Sequence, residues 1–507
     1  MTGAAHALRL GTRGSPLAVA QSRQVAELLQ SARSELTVEL VTITTRGDRN
    51  QTTPLTAIKD GNFFSAEIDA ALLGGQVDFT VHSRKDLDGR RPAGIVTAAM
   101  PPRANPRDVA LFGPAVLDRL RRGDTLRIGT SSARRAAHVQ RFLARALPRI
   151  GPEPALQCVP LRGPVHRRVA RLHDAGPDAL DGVVLALAGL ERLWTDTAAR
   201  ATIERSLAGL RWMVLPLSEC PTAPGQGALA VECRADDATT RRLLSAVHDD
   251  VTARNVAAEY AAGAGLDTEA QAAMGATAIA VPHVGRLLFA SGPAVDDRAL
   301  QWRAPEPPTN ARAWDGSEWH DQCKQNAADT LSRVPRAPAV FVAHWRAVTP
   351  HTVVGNDQRI WVSGWPSWQR LSAAGLWVEG CAESLGFDAL RPTLAAQVLQ
   401  LPPLADWLVL TRAGAEPTWQ DSGIATVVGS YVLDVPDASA VRRLRQAAGQ
   451  STHFFWSSRD QYLALRDSLP PGAHHACGTG KTFRALTELG VQPAAFPSRE
   501  AWQTWLG

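Results

Sequence analysis

Lys85 and Asp86 stand side by side at the end of an apolar run, in the stretch VHSRKDLDG (81–89), with His82 and Ser83 just before them. A carboxylate at such a position can face a cation that develops during a reaction, and it can pass protons. A solvated turn would carry the same residues, so the stretch alone leaves both readings open. A second stretch, IGTSSARRA (128–136), runs from an apolar segment through Gly-Thr-Ser-Ser into a helical one. Thr130 and Ser132 suit a helix cap, and the free N–H groups of a helix start attract anions. Arg134 and Arg135 oppose the helix dipole in that first turn, a conflict that a bound anion would relieve. PLRGPVHRRVARL (160–172) repeats the theme with Arg162 and Arg168, and GTRGSPLA (11–18) repeats it with Arg13. Guanidinium groups at several such turns suit bidentate binding of carboxylates or phosphates.

Positioning these groups requires strands that end together. The first half supplies them by alternation: ALRLGT then LAVAQSRQVAELLQSA, VELVTITT, SAEIDAALLGG, VDFTVHS. A second set follows, TLRIGTSS into ARRAAHVQRFLARAL, ALQCVPLRG into VHRRVARLHDAG, and DGVVLALAG into LERL. Strands alternating with helices predict βαβ units and mostly parallel sheets, with ligands at the carboxyl ends of the strands. Residues 236–333 read differently, as helices, short strands (ATAIAV, GRLLFAS), a Pro-rich loop at 304–310 and a helix near 318–332. SRVPRAPAV (332–340) reads as a linker. Beyond it the alternation resumes in RIWVSGW, DWLVLTR, TVVGSYVL, HFFWSS and AHHACG.

Composition narrows the partners. The 507 residues suggest three or four domains, with 45% hydrophobic and 20% charged residues, as in ordinary globular proteins. Of 54 basic residues only Lys59, Lys85, Lys324 and Lys481 are lysine, so a surviving lysine carries more information than an arginine. No basic run is interleaved with aromatics, which argues against nucleic acid. The six cysteines are scattered without a C-x-x-C pair, which argues against zinc and disulfides and for a cytoplasmic location. The start MTGAAHALRLGTRGSP is broken by Arg9 and Arg13 and does not read as a signal peptide. The longest apolar run, GVVLALAGL (182–190), is too short to span a bilayer.

The motifs GTRGSPLAVAQ, TRGD, VHSRKD, GTSSARR, LRG, LALAGLERL and APGQGALAVECR occur in the order of hydroxymethylbilane synthase, also called porphobilinogen deaminase. The resemblance covers about residues 8–333. It implies an α/β fold with two lobes like those of periplasmic binding proteins (1–105 plus 212–233, and 106–211) and a small α+β third domain (234–333). It further implies that Asp86 and Lys85 are catalytic, with Asp86 supporting loss of ammonia from an aminomethylpyrrole and stabilising the resulting cation. Arg13, Arg134, Arg135, Arg162, Arg168 and Arg192, together with Lys85, resemble the groups that hold acidic side chains of substrate and cofactor. Gln21, Ser83, Thr130 and Ser132 resemble supporting polar positions.

Two departures stand against that resemblance. The family tethers a dipyrromethane primer through a cysteine, and the matching segment here, GLDTEAQAAMGA (265–276), has Ala270 at that place. No cysteine lies between Cys233 and Cys323, so a covalent dipyrromethane is not expected. The active-site loop TPLTAIKDGNFFSAEID (53–69) keeps Phe64 but only Lys59 among its lysines, and Pro164 and His166 replace small or polar residues. A decaying enzyme would lose Asp86 as readily as the cysteine. The retained half therefore suggests a changed reaction: a deaminating transferase that expels an amine and couples the cation to a diffusible nucleophile. C–N bond formation on an aminocyclitol-type substrate in specialised metabolism would fit. The alternatives are a genuine tetrapyrrole enzyme with a non-covalent primer, and a non-catalytic small-ligand-binding protein. The expected partners are a small-molecule amine and a small-molecule nucleophile, with no nucleic acid, membrane or metal.

Residues 338–507 are expected to form one more α/β domain. HFFWSSRDQYLAL and HACGTGKTFRALTELG resemble uroporphyrinogen III synthase, in a form expected to be degenerate or structural. CGTGKT is not a P-loop, because His475 stands where that motif needs glycine.

Overall fold

The computed structural model describes residues 6–45, 65–87, 91–176, 178–292, 295–302, 306–325, 331–349, 352–355 and 357–506. The loop containing Lys59 and Phe64, and all of TRGD except Thr45, lie outside them.

β1 (His6–Arg13) buries Leu8 and Leu10 and pairs in parallel with β2 (Leu36–Ile43) and β3 (Phe79–Ser83). α1 (Pro16–Ala32) links the first two strands. Ser15 caps it by accepting from Ala18 N, and Val25, Ala26 and Leu29 are buried in the core shared with the sheet. β4 (Ile95–Ala99) ends this half, and the chain crosses to β5 (Asp108–Phe112), β6 (Leu126–Gly129), α2 (Ala133–Ala146), β7 (Leu156–Val159), β8 (Gly182–Ala186), α3 (Leu187–Thr195) and β9 (Arg211–Val214). It then returns as β10 (Leu229–Arg234). The two sheets have matching orders, β2-β1-β3-β10-β4 and β7-β6-β8-β5-β9. Each is mixed: β10 runs antiparallel to β3 and β4, and β5 runs antiparallel to β8 and β9.

The boundary expected at 212 moves. β9 belongs to the second sheet, because Trp212, Met213 and Val214 bury themselves along β5. The third region holds α4 (Asp250–Ala262), α5 (Thr268–Ala273) and the meander β11 (Gly275–Val281), β12 (Gly285–Gly292), β13 (Val295–Trp302).

The boundary expected near 333 also moves. β14 (Ala313–Trp314) and α6 (Ser317–Gln322) put Trp314 and Trp319 into the core of the last sheet, so residues from about 313 belong to the C-terminal unit. Pro335 and Pro338 do not mark a flexible connector. Val334 N donates to Val353 O at 2.9 Å, and β15 (Ala339–Val342) begins at once. The remaining strands are β16 (Arg359–Val362), β17 (Val378–Cys381), β18 (Trp407–Arg412), β19 (Thr426–Tyr431), β20 (His453–Trp456), β21 (His474–Gly478) and β22 (Ala494–Phe496). They build two all-parallel sheets, β17-β16-β15-β18-β19 and β14-β20-β21-β22.

The C-terminal unit is packed onto the second lobe through a shared apolar core. Phe142 of α2 meets Trp368 edge to face at 5.3 Å, and Trp368 Nε1 and Ser372 Oγ both donate to Ala146 O. Trp377 Nε1 donates to Trp212 O at 2.9 Å. Among the described residues no helix is long and apolar enough to cross a membrane.

Candidate active site

β3 delivers Ser83 to the carboxyl edge of the first sheet, and a single tight turn, Arg84–Asp86, follows it. The turn is fixed from the third region. Arg84 Nη1 donates to the Tyr260 hydroxyl at 3.0 Å, that hydroxyl donates back to Arg84 O at 3.1 Å, and the guanidinium lies 4.2 Å over the ring. Gln21 of α1 donates to Ser83 Oγ at 2.7 Å. Asp86 projects to solvent, whereas Lys85 turns inward and donates to Gln226 Oε1 at 3.1 Å. Burial pushes Lys85 down to about 8, with Asp86 and Asp108 opposing the fall and Arg135 and Arg134 adding to it.

Gln226 comes from the APGQG segment that returns to the first lobe. Gly225 and Gly227 have φ of +75° and +86°, and a Cβ on Gly227 would lie 2.6 Å from Ala104 O. Glycine there lets the two crossovers touch. Gln226 Nε2 then donates to Asp108 Oδ1 at 2.8 Å and to Pro106 O at 2.7 Å.

Asp108 answers the conflict at the start of α2. Arg134 Nη2 donates to its Oδ2 at 2.9 Å, and Arg135 Nη2 donates to its Oδ1 at 2.7 Å. Burial alone would raise the Asp108 carboxyl, but the two guanidinium groups hold it well below the usual carboxylate range. The anion that relieves these arginines is thus the protein's own, and they do not require an outside ligand. Thr130 and Ser132 serve the same helix start: Thr130 Oγ1 accepts from Ser132 N, and Ser132 Oγ accepts from Arg135 N.

Arg162 and Arg168 behave differently. Arg168 Nε donates to Gly163 O at 2.6 Å, and among the described residues neither guanidinium is paired with a carboxylate. Arg162 Nη1 is buried, with no hydrogen-bond partner among the described residues. Burial lowers Arg168 to about 10, Arg135 and Arg162 add to that, and Asp86 opposes it. Asp86 of one lobe therefore lies within electrostatic range of Arg168 of the other. Arg13 ends β1 and contributes to holding the buried His82 at about 3, after burial itself and Arg91.

Arg192 is not brought to this cleft as a ligand group. It is buried, and its donors go to Gln24 Oε1 at 3.0 Å and Gly227 O at 2.7 Å, bracing α3 against α1 and the returning crossover. Asp108 and Gln226 were not picked out from the sequence as site residues. The only signals were a carboxylate opening the apolar strand DVALF and a glutamine between two glycines. Asp69, His82 and Glu232 offer ligand atoms within 4.8 Å of one another, but Arg91 donates to both carboxylates and stands where a cation would.

Ala270 lies in the first turn of α5, its N–H donating to Asp267 Oδ1 at 2.8 Å. Residues 268–273 are Thr, Glu, Ala, Gln, Ala and Ala, and Cys220 and Cys233 are 1% and 0% exposed in other strands and turns. Residues 265–276 contain no cysteine thiol.

Two mixed sheets of matching order, joined by two crossovers and presenting a lysine–aspartate turn to arginine-bearing loops, define a two-lobed protein with a polar cleft. Residues 8–242 match the family model described as porphobilinogen deaminase, dipyromethane cofactor binding domain. The chain is 38% identical over 256 residues to a porphobilinogen deaminase of Syntrophus aciditrophicus (strain SB), covering 50% of this chain and 74% of that one. It is 40% identical over 272 residues to that of Roseiflexus sp. (strain RS-1), covering 54% and 81%. It is 41% identical over 278 residues to porphobilinogen deaminase 1 of Streptomyces coelicolor, covering 54% and 78%. The chain belongs to the porphobilinogen deaminase family.

Proposed function

We propose that this member of the family is a deaminating transferase that works without a covalently tethered primer. The observation that carries the reading is the survival of the Lys85–Asp86 turn, locked by Tyr260 and Gln226, in a chain with alanine at 270. The substrate is a small amine whose C–N bond breaks with its electron pair leaving on ammonia. The Asp86 carboxylate faces the carbon-centred cation so formed and lowers its energy electrostatically. A diffusible nucleophile then adds to that carbon, and the proton it sheds passes to Asp86 or to water. Lys85, at about 8, is mostly charged at neutral pH and holds the turn's charge balance. Arg162 and Arg168 are the groups available to an anionic substituent of the substrate. An aminocyclitol-type amine with an arylamine nucleophile suits this scheme, in the cytoplasm and in specialised metabolism.

A second reading is favoured by the identity to relatives named porphobilinogen deaminase: porphobilinogen itself is the substrate, with a primer held non-covalently. Incubation with porphobilinogen and no added primer, followed by acid oxidation, separates the two. The first reading expects no uroporphyrin above the Asp86→Asn background. Uroporphyrin formed at many turnovers per chain would establish the second.

A further inference from the structure

Glu383 and Ser384 form the turn that follows β17, and both have left-handed backbones, with φ of +53° and +61°. Among the described residues five non-glycine residues have positive φ, and only these two are neighbours in the chain. Left-handed backbone is uncommon outside glycine, asparagine and aspartate, and it persists where the surroundings hold it. They hold it here. Ala382 N donates to Val362 O at 2.9 Å, Ser384 N to Ser363 O at 2.8 Å, and Leu385 N to Ala382 O at 2.9 Å.

What this backbone achieves is the placement of one carboxylate. The Glu383 side chain is 0% exposed and bonds both crossovers of the deaminase half at once. Its Oε1 accepts from Arg107 Nη2 in the first crossover, and its Oε2 accepts from Ser218 N at 3.0 Å in the second. Residues close behind the turn add to the grip. Thr393 Oγ1 accepts from Asn105 Nδ2 at 2.8 Å, and Asn105 Oδ1 in turn accepts from Arg107 N at 3.1 Å. Leu385 shares an apolar cluster with Leu217 of the second crossover.

Both gripped segments lead to the Lys85–Asp86 turn. Arg107 stands between Pro106, whose carbonyl accepts from Gln226 Nε2 at 2.7 Å, and Asp108, whose Oδ1 accepts from the same group at 2.8 Å. Gln226 Oε1 accepts from Lys85, and Ala228 O accepts from Arg84 N at 3.0 Å. The spacing of the two crossovers therefore fixes where Arg84 and Lys85 are anchored.

We propose that Glu383, a residue of the C-terminal unit, is a positioning residue for the deaminase cleft. It sets the spacing of the two crossovers and, through Gln226 and Ala228, the place of the Lys85–Asp86 turn. It touches no reacting atom. The C-terminal unit thereby serves the site of the first half without chemistry of its own. This role rests on the reading of Lys85 and Asp86 given above, and it is tested by geometry rather than turnover so that the two can fail separately.

Hydrogen exchange of the full chain, read by peptide mass spectrometry with no substrate present, tests it in Glu383→Gln. The amide keeps the shape and one acceptor but offers Ser218 N no second carboxylate oxygen. The Arg84 and Leu87 amides, bonded to Ala228 O and Arg84 O, should exchange about tenfold faster, the shift in local opening expected when one buried charged contact is lost. The rise should extend over 103–108 and 216–220 and leave β1 and β20 unchanged. A residue that merely supports the fold would raise exchange in β1 and β20 by the same factor, and that result would overturn the positioning role. Crossovers that loosen while Arg84 and Leu87 exchange as in the parent would overturn it too. Thr393→Val, which removes only the acceptor of Asn105, keeps the test alive if Glu383→Gln does not fold. It should loosen 103–108 and 84–87 by a smaller factor, and parental exchange at 84–87 would again overturn the role. The expected pattern together with parental turnover in Asp86→Asn would uphold the coupling and remove the chemistry.

Discussion

Gln226 Nε2 donates to Asp108 Oδ1 at 2.8 Å, and through this one contact the returning crossover of the first lobe grips the strand that opens the second. The other end of the same amide accepts from Lys85. A continuous hydrogen-bonded path thus runs from the Lys85–Asp86 turn to the paired arginines of α2.

Burial lowers the Lys85 amine, and Asp86 is the first of the charges that oppose the fall. With its amine held at about 8, turnover that requires the ammonium form should fall as pH rises through about 8. Gln226→Leu removes an acceptor that favours the charged form, so the alkaline limb should move to lower pH. A pH–rate profile that stays put in this variant would show that Lys85 does not control the limb.

Asp108→Asn leaves Arg134 and Arg135 buried beside a neutral amide. Breaking a buried pair by removing one partner typically costs about 3–5 kcal/mol. Urea unfolding should show a loss of that order, and a change within about 0.5 kcal/mol, as at an ordinary surface site, would mean that the pair is dispensable.

The halves of the chain are joined by a second buried pair. Glu383 accepts from Arg107 in the first crossover and from Ser218 N, at 3.0 Å, in the second. Glu383→Ala should destabilise the whole chain by about 3–5 kcal/mol and raise hydrogen exchange in both crossovers. Exchange confined to the C-terminal unit would contradict this coupling.

What was legible in the sequence followed from local rules. Charged residues at the end of an apolar strand located Lys85 and Asp86, and helix-start patterns located Arg134, Arg135 and Arg168. What was not legible depended on partners distant in sequence. Asp108 is a single carboxylate with no spacing to announce it, yet it satisfies both arginines that seemed to await a ligand. Arg192 reads like a binding group until Gln24 and Gly227 are seen to use its donors. The C-terminal boundary was missed because Ala313–Trp314 is too short to show a period, and only its pairing with His453–Phe454 reveals the sheet it joins.

Asp86→Asn keeps the shape of the turn and removes the charge facing the developing cation. Loss of a preorganised electrostatic contact of this kind typically lowers turnover by about 10²–10³. The variant should keep the unfolding curve of the parent, and near-parental turnover with either an amine or porphobilinogen would remove Asp86 from the chemistry.

The proposed function requires a chain without an anchored primer, a requirement that follows from alanine at 270 and from the lack of any cysteine between Cys233 and Cys323. Intact-mass spectrometry of the purified, unfolded chain tests it most directly. The expected mass is that of the unmodified polypeptide, both as isolated and after incubation with porphobilinogen. A mass heavier by one dipyrromethane would contradict it.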